Sequence, residues 1–258
     1  MSSETDSEAI RLPTVAEIEA ATEIISTSAK VVRVNKHFAV KMGRGISLIE
    51  AENMMFLAAN SKVPVPKVHT AFRDPGTNKT YIIMQYLHGN TLQKLLPTLK
   101  QVEKAAICNL IKDAMMKLRS IPPQDYLGML NRQPYLDGVF WTEGLDPKIS
   151  GPFENQKGMN LAIIEKLRQT ESDQYIRLLR NMVNQTLNGH RITFTHGDLQ
   201  PKNIMVERLG NRRISGDFCN ATIACRFKPG WLELVPDILD QYPVEFLMMQ
   251  VVYSSVFY

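Results

Sequence analysis

The chain lacks an apolar run of the roughly 18 residues that a membrane span requires, so no membrane segment is expected. The opening "MSSETDSEAIRLP" is polar and acidic, unlike a secretory signal, so no leader is expected there, and residues 1–13 are expected to be disordered. Cysteine is scarce. Cys108, Cys219 and Cys225 are odd in number and have no metal-ligand spacing, which argues against a disulfide framework and a zinc site and for a reduced, cytoplasmic setting. Repeats and low-complexity tracts are absent. Charge of one sign is not concentrated either. The net +4 is spread along the chain, which fits an anionic ligand better than nucleic acid. What remains is 258 residues with 44% hydrophobic and 22% charged content, enough for one large domain or two lobes.

The apolar pattern divides the chain. Thr14 to Ile25 reads as a helix capped by Thr14. "KVVRVNKHFAVKM" alternates as two strands joined at Asn35–Lys36, and "SLIEAENMMFLAAN" reads as a helix capped by Ser47 and ended near Asn60. The two prolines of "VPVPKVH" exclude helix, and "TYIIMQYLHG" is a buried strand leading out of this small lobe near Tyr86–Gly89. The rest is mainly helical. Val102, Ala105, Ala106, Leu110, Ala114, Met115 and Leu118 form an apolar stripe, and Leu161 to Leu187 is helical with a break near Thr170. Residues 121–158 are rich in loops and proline, as binding loops often are.

The densest chemistry lies in "FTHGDLQPKNIMV", Phe194 to Val206, between β-like runs at Ile192–Thr195 and Ile204–Val206. There Asp198 can accept a proton from an incoming hydroxyl, and Asn203 offers a neutral oxygen to a divalent cation. A second carboxylate is needed to hold that cation. Asp217 in "RISGDF" supplies it, carried back beside Asn203 by strand, turn and returning strand. Together these residues describe a magnesium-dependent phosphoryl-transfer site. A cation for the nucleotide phosphates is available in Lys41 of "HFAVK", where Ala39 shares its face and Phe38 and Val40 take the other. Either Glu50 or Glu52 can orient that lysine, but not both, since they point to different faces of the next helix. Taken alone, Lys41 is an ordinary strand-end lysine, and a helix glutamate is ordinarily solvated. Trp141, Tyr135 and Phe140 read either as a stacking surface for a substrate or as packing within the loop. Glu143, Asp137 and Asp146 read either as receivers of a cationic acceptor or as solvated charges.

These residues resemble the aminoglycoside phosphotransferase and choline kinase branch of the protein-kinase-like superfamily, in particular its uncharacterised eukaryotic phosphotransferase-family proteins. "HGDLQPKN" is similar to the family's HGDxxxxN loop, "GDF" to its metal-binding motif and "FAVK" to its nucleotide lysine. "EAENMMFLAANSKVPVPKV" resembles its helix and following strand, "YIIMQYLHGNTL" its hinge, and "GPF" at 151–153 an element of its central insertion. The resemblance spans about residues 25 to 220. It implies an α+β, two-lobed kinase-like fold: a small antiparallel-sheet lobe with one helix over 14–87, and a larger, mainly helical lobe over 88–258. It implies ATP or GTP and Mg2+ as cofactors and phosphoryl transfer to a hydroxyl of a small-molecule acceptor, by a monomer that binds neither nucleic acid nor membrane. Asp198 becomes the catalytic base, Asn203 and Asp217 magnesium ligands, and Lys41 a phosphate contact. Glu50 is its first-choice partner and Glu52 its second. Backbone groups of Gln85 to Leu87 are expected at the adenine edge, His196 is a structural brace, and residues 121–160 select the acceptor. One departure matters. Relatives carry two apolar residues between the glycine and the aspartate, whereas here Gly216 abuts Asp217 directly. The alternative function is therefore a catalytically inactive kinase-like protein that binds nucleotide or a partner.

Overall fold

The computed structural model describes residues 11–26, 30–136, 138–195, 199–209, 213–218 and 252. The chain divides into two compact units, one formed by residues 1–51 and 66–87 and the other by 52–65 and 88–258.

The first unit is built on strands β1 (Glu23–Ser26), β2 (Val31–Arg33), β3 (Phe38–Gly43), β4 (Val68–Arg73) and β5 (Thr80–Gln85). They form one antiparallel sheet in the order β1-β2-β3-β5-β4. The β2–β3 turn falls at the expected place, where Asn35 Oδ1 accepts from the backbone of His37 and Phe38. Helix α1 (Val15–Glu19) starts as the sequence predicts. Thr14 accepts from Glu17 N, and Glu17 reaches back to Thr14 N at 2.7 Å. It ends at Ala20, well before Ile25. Ile24 and Ile25 go into β1 instead. A branched Cβ loses rotamer freedom in a helix, and the edge of the sheet offers this segment a ladder with β2. The core packs Ile18 of α1 against Val32, Phe38, Val40, Met42, Tyr81 and Ile83.

Tyr81 links that core to a charged cluster. Its hydroxyl donates to Glu19 Oε1 at 2.7 Å, and Lys79 Nζ approaches the same oxygen at 2.7 Å. Burial, and then the bond to Glu19, push the Tyr81 hydroxyl up to about 12. Lys79, and after it Tyr81, hold Glu19 below the usual carboxylate range. Because the tyrosine value is raised on folding, its stabilisation is complete below the unfolded value of about 10 and is lost as pH rises through about 12. Tyr81→Phe is expected to cost about 1–2 kcal/mol at neutral pH and to remove that alkaline loss. Thermal melts of both proteins from neutral pH to about pH 12 check this.

Helix α2 (Ile49–Asn60) follows β3, and Ser47 Oγ accepts from Ile49 N at 3.3 Å. The second unit contains α3 (Leu92–Leu95), α4 (Gln101–Arg119), α5 (Pro147–Ser150), α6 (Gln156–Leu167) and α7 (Asp173–Thr186). It also has a small antiparallel sheet in the order β6-β7-β8, formed by Asn90–Thr91, Ile204–Leu209 and Arg213–Phe218. One core joins α6 and α7 to Val139, Phe140 and Phe153. Another joins Leu92, Ile107, Cys108, Ile111 and Ala114 to Ile204 and Val206 of β7. The face that α4 buries differs from the expected stripe. Ile107, Cys108 and Ile111 point inward, while Val102 is 81% exposed and Leu110 sits at the surface. The larger branched side chains beside β7 set the helix phase, leaving Ala105 and Ala106 exposed, while Ala114 and Leu118 of the expected stripe are buried. Among the described residues no helix is long and apolar enough to cross a membrane.

Gly89 makes the small sheet possible. It has φ +106°, and a Cβ there would stand 2.3 Å from the Val206 carbonyl oxygen. Gly89→Ala therefore combines a disfavoured backbone with a backbone clash and is expected to cost about 2–4 kcal/mol in urea unfolding.

Candidate active site

Lys41 lies in the middle of the first unit's sheet. β3 is flanked by β2 and β5, and Lys41 pairs with Val31 on one side and Ile82 on the other. Alternation places Phe38, Val40 and Met42 in the core and turns Ala39 and Lys41 to the opposite face. That face is also covered, since Ala39 is 5% exposed and Lys41 6%. The Lys41 ammonium pairs with the Glu50 carboxylate on the first turn of α2. Glu52 is exposed. Of the two glutamates, the structure thus brings Glu50 to the lysine. The two lie about 200° apart around the helix, so one turned toward β3 leaves the other turned away.

The strand that leaves this unit is closely bonded. Gln85 N donates to Lys67 O at 2.8 Å, Tyr86 N donates to His37 O at 2.8 Å, and the Arg33 guanidinium lies 4.2 Å over the Tyr86 ring. Two of the three amides from Gln85 to Leu87 are therefore committed within the sheet. The Leu87 N–H is left as the amide this stretch can offer a planar heterocycle.

In the second unit, Asp198 and His196 lie outside the described residues, but the chain on either side of them is placed. Ile192–Thr195 is irregular, not the expected strand. It is held by side chains instead. Phe194 stacks on Phe56 at 5.4 Å and packs on Leu57, Val63, Leu118 and Ile121, while Arg191 Nη2 donates to Arg119 O at 3.2 Å. On the far side, Pro201–Asn203 makes a single 3₁₀ turn with Asn203 N bonded to Gln200 O at 2.9 Å. That turn delivers Asn203, 6% exposed, to the start of β7. β8 then returns antiparallel as the sequence predicts, with Met205 opposite Asp217 and Ile204 opposite Phe218. The backbone of Asp217 is thus on the strand next to the one that Asn203 opens. A carboxamide and a carboxylate on adjacent strand ends are the oxygen donors that a hard divalent cation takes.

The sequence did not point to a cavity of about 380 Å³ in this unit. Its walls include Tyr126, Met129, Tyr135, Phe140, Met159 and, at one side, Thr193 to Thr195 just before the HGD segment. Tyr135 and Phe140 pack within the loop, stacked on each other at 5.0 Å, and both also line this space. Trp141 is 51% exposed and is not part of the wall. Asp146 caps α5 by accepting from Lys148 N, Glu143 is exposed, and Asp137 lies outside the described residues.

A model of the phosphotransferase enzyme family (APH) matches residues 40–224, a span that holds Lys41, Glu50, Asp198, Asn203 and Asp217. No curated protein matches the chain in sequence. Among solved structures, the apo form of a thermostable mutant of aminoglycoside phosphotransferase APH(4)-Ia aligns at a TM-score of 0.56 with 13% identity, over 88% of this chain and 83% of that one. The streptomycin–ATP–APH(2″)-IIa ternary complex aligns at 0.54 with 17% identity, over 94% and 87%. The GDP complex of wild-type aminoglycoside 2′-phosphotransferase-IIIa aligns at 0.53 with 15% identity, over 90% and 75%. At such identities the likeness is one of fold, and the fold is the expected α+β kinase-like one: an antiparallel sheet with its helix, then a larger helical part. The family match covers well over half of the sequence, and the chain belongs to the phosphotransferase enzyme family.

Proposed function

We propose that this protein transfers the γ-phosphoryl group of ATP or GTP to a hydroxyl of a small molecule, with magnesium. The observation that carries the reading is Lys41, a lysine buried in mid-sheet and paired with Glu50. Burying both charges costs more solvation than a hydrophobic pair would, so stability alone is a poor reason to keep them. A fixed ammonium is what a nucleotide's phosphates need. Ala39, two places before it on the same face, carries the small side chain that a flat ring needs beside it, and the Leu87 N–H can meet that ring's edge. Support also comes from the family's solved members, which include complexes with ATP, ADP, AMP-PNP and GDP.

In this reading Asp198 takes the proton from the acceptor hydroxyl as its oxygen attacks phosphorus. Lys41, oriented by Glu50, offsets charge on the phosphate oxygens. Asn203 and Asp217 would hold the metal, which supplies neutralisation of the phosphates when bound. The reading requires both half-sites to serve one nucleotide. A second reading, an inactive nucleotide- or partner-binding protein, is favoured by one feature: the glycine directly before Asp217.

The two separate in one experiment. Nucleotide affinity of the purified chain is measured by calorimetry with and without magnesium, followed by a screen of hydroxyl acceptors with labelled ATP and GTP. Tight binding that depends on magnesium, together with transfer, supports the kinase. Binding indifferent to magnesium, with no transfer to any acceptor, supports the inactive form.

A further inference from the structure

The first unit alone narrows the choice of nucleotide. We infer that Arg33 reads the 6-position of the bound base, and that the protein prefers a 6-oxopurine, guanine, to adenine. The inference rests on the nucleotide site proposed above, with Lys41 at the phosphates, and deepens it.

Sheet register orders the face that carries Lys41. Val31, Lys41 and Ile82 stand in one row across β2, β3 and β5, and Arg33, Ala39 and Met84 stand in the next. Directly opposed residues share a face, with Cβ atoms roughly 4.5–5.5 Å apart. The row after that, towards the β2–β3 turn, holds His37 and Tyr86, joined by the bond from Tyr86 N to His37 O. Along this face the order is therefore Lys41, then Ala39, then Tyr86. A nucleotide with its phosphates at Lys41 and its ring beside Ala39 turns the far edge of that ring towards Tyr86 and Leu87. The ribose of a purine nucleotide is carried on the imidazole part of the base. The far edge is thus that of the pyrimidine part, where adenine and guanine differ.

Arg33 reaches across β3 to that edge. It starts on β2, and its guanidinium lies 4.2 Å over the ring of Tyr86, which follows β5 on the other side of β3. This cation–π contact gives the guanidinium a fixed platform. Nε donates to Asn35 O at 3.1 Å, which draws the side chain towards the turn. Nη1 donates to Glu23 Oε1 at 3.3 Å, and Glu23 is the residue paired with Arg33 across β1 and β2. The ion pair is partly exposed and contributes little stability by itself, but it orients the group. Nη2 meets no partner among the described residues.

A guanidinium donates hydrogen bonds and accepts none. Guanine presents two acceptors side by side, O6 and N7, and arginine is the side chain that most often reads them. Adenine places its N6 amino group, a donor, where guanine has O6. A guanidinium facing N6 sets donor against donor, and one of them gives up a hydrogen bond to water without replacement. The backbone does not discriminate in this way. The Leu87 N–H can donate to N1 of adenine or to one lone pair of guanine O6, which leaves the other lone pair for Arg33. Selection therefore falls to the side chain.

Calorimetry on the full chain with magnesium measures the affinities for GDP, IDP and ADP. IDP keeps the 6-oxo group and lacks the 2-amino group, so it isolates the position that is read. GDP and IDP are each expected to bind about tenfold more tightly than ADP. Arg33→Met keeps the length and apolar stem of the side chain but removes the donors, and should bring that ratio to about one. Tyr86→Leu removes the platform and should lower the ratio in the same direction. Attraction of a positive side chain to the phosphates is common to all three nucleotides, as is any loss of stability, so neither moves the ratio. ADP binding as tightly as GDP, a preference for GDP that IDP does not share, or a preference that survives Arg33→Met overturns the inference. Lys41→Met separates this result from the parent reading. If it weakens all three nucleotides while the natural chain shows no preference among them, the nucleotide site stands and the base selection fails. If no nucleotide binds, or Lys41→Met leaves their binding unmoved, the nucleotide site itself is misplaced and the inference falls with it.

Discussion

Asp198→Asn is expected to lower turnover by about 10²–10⁴-fold while nucleotide affinity changes by no more than about twofold. The carboxamide matches the carboxylate in size, so the loop keeps its course, but it cannot take a proton from the acceptor hydroxyl. General-base catalysis acts in the transition state, so kcat falls and ground-state binding is spared. The flanks make the variant a clean one. Before the loop, Phe194 is fixed by its stack on Phe56. After it, Asn203 is buried at the start of β7. Single-turnover kinetics and calorimetry on the same preparation check the result, and equal losses of rate and affinity would mark Asp198 as a structural residue.

Local rules carried much of the first unit. The β2–β3 turn at Asn35, the start of α2 after Ser47 and the apolar strand Thr80–Gln85 follow from short-range chemistry: an amide side chain that bonds its own turn, a hydroxyl cap, and a run with no polar face. The sequence fell short where distant parts of the chain decide. Ile24 and Ile25 chose between helix and strand according to whether β2 stood beside them. The phase of α4 was set by what it packs on, namely Ile204 and Val206, nearly a hundred positions away in sequence. Glu50 and Glu52 are equivalent as residue types, and only the orientation of α2 against β3 selects Glu50.

The cavity was the least legible feature. Its wall draws on residue 53, residues 122–140, 156–163 and 187–195, four stretches with no common pattern. The sequence did carry one signal, Asn53, a lone amide between Glu52 and the apolar run Met54 to Leu57. Asn53 is 6% exposed and lines the cavity.

Asp217→Ala is expected to abolish the magnesium-dependent part of nucleotide affinity. The reason is the nature of the ion. Asn203 offers one neutral oxygen, which is a poor exchange for the water shell of a small, strongly hydrated dication, so the carboxylate must supply the charge. The position of Asp217 makes the prediction two-sided. With Gly216 directly before it, the strand is two residues shorter than the resemblance to the family implies, a change that would keep the alternation of faces but set the aspartate back by about 7 Å. The backbone register puts Asp217 opposite Met205, one pair short of Ile204 and Phe218. Inserting two valines between Gly216 and Asp217 discriminates between the possibilities. If the natural chain binds magnesium-nucleotide tightly and the insertion weakens it, the adjacent turn has adapted to the short strand and the site is functional as it stands. If magnesium dependence arises only after insertion, the natural chain holds nucleotide without metal, and Asp217→Ala in the uninserted protein will change nothing. Calorimetric titration of ATP with and without magnesium, on the natural, substituted and inserted chains, reads all three outcomes on one scale.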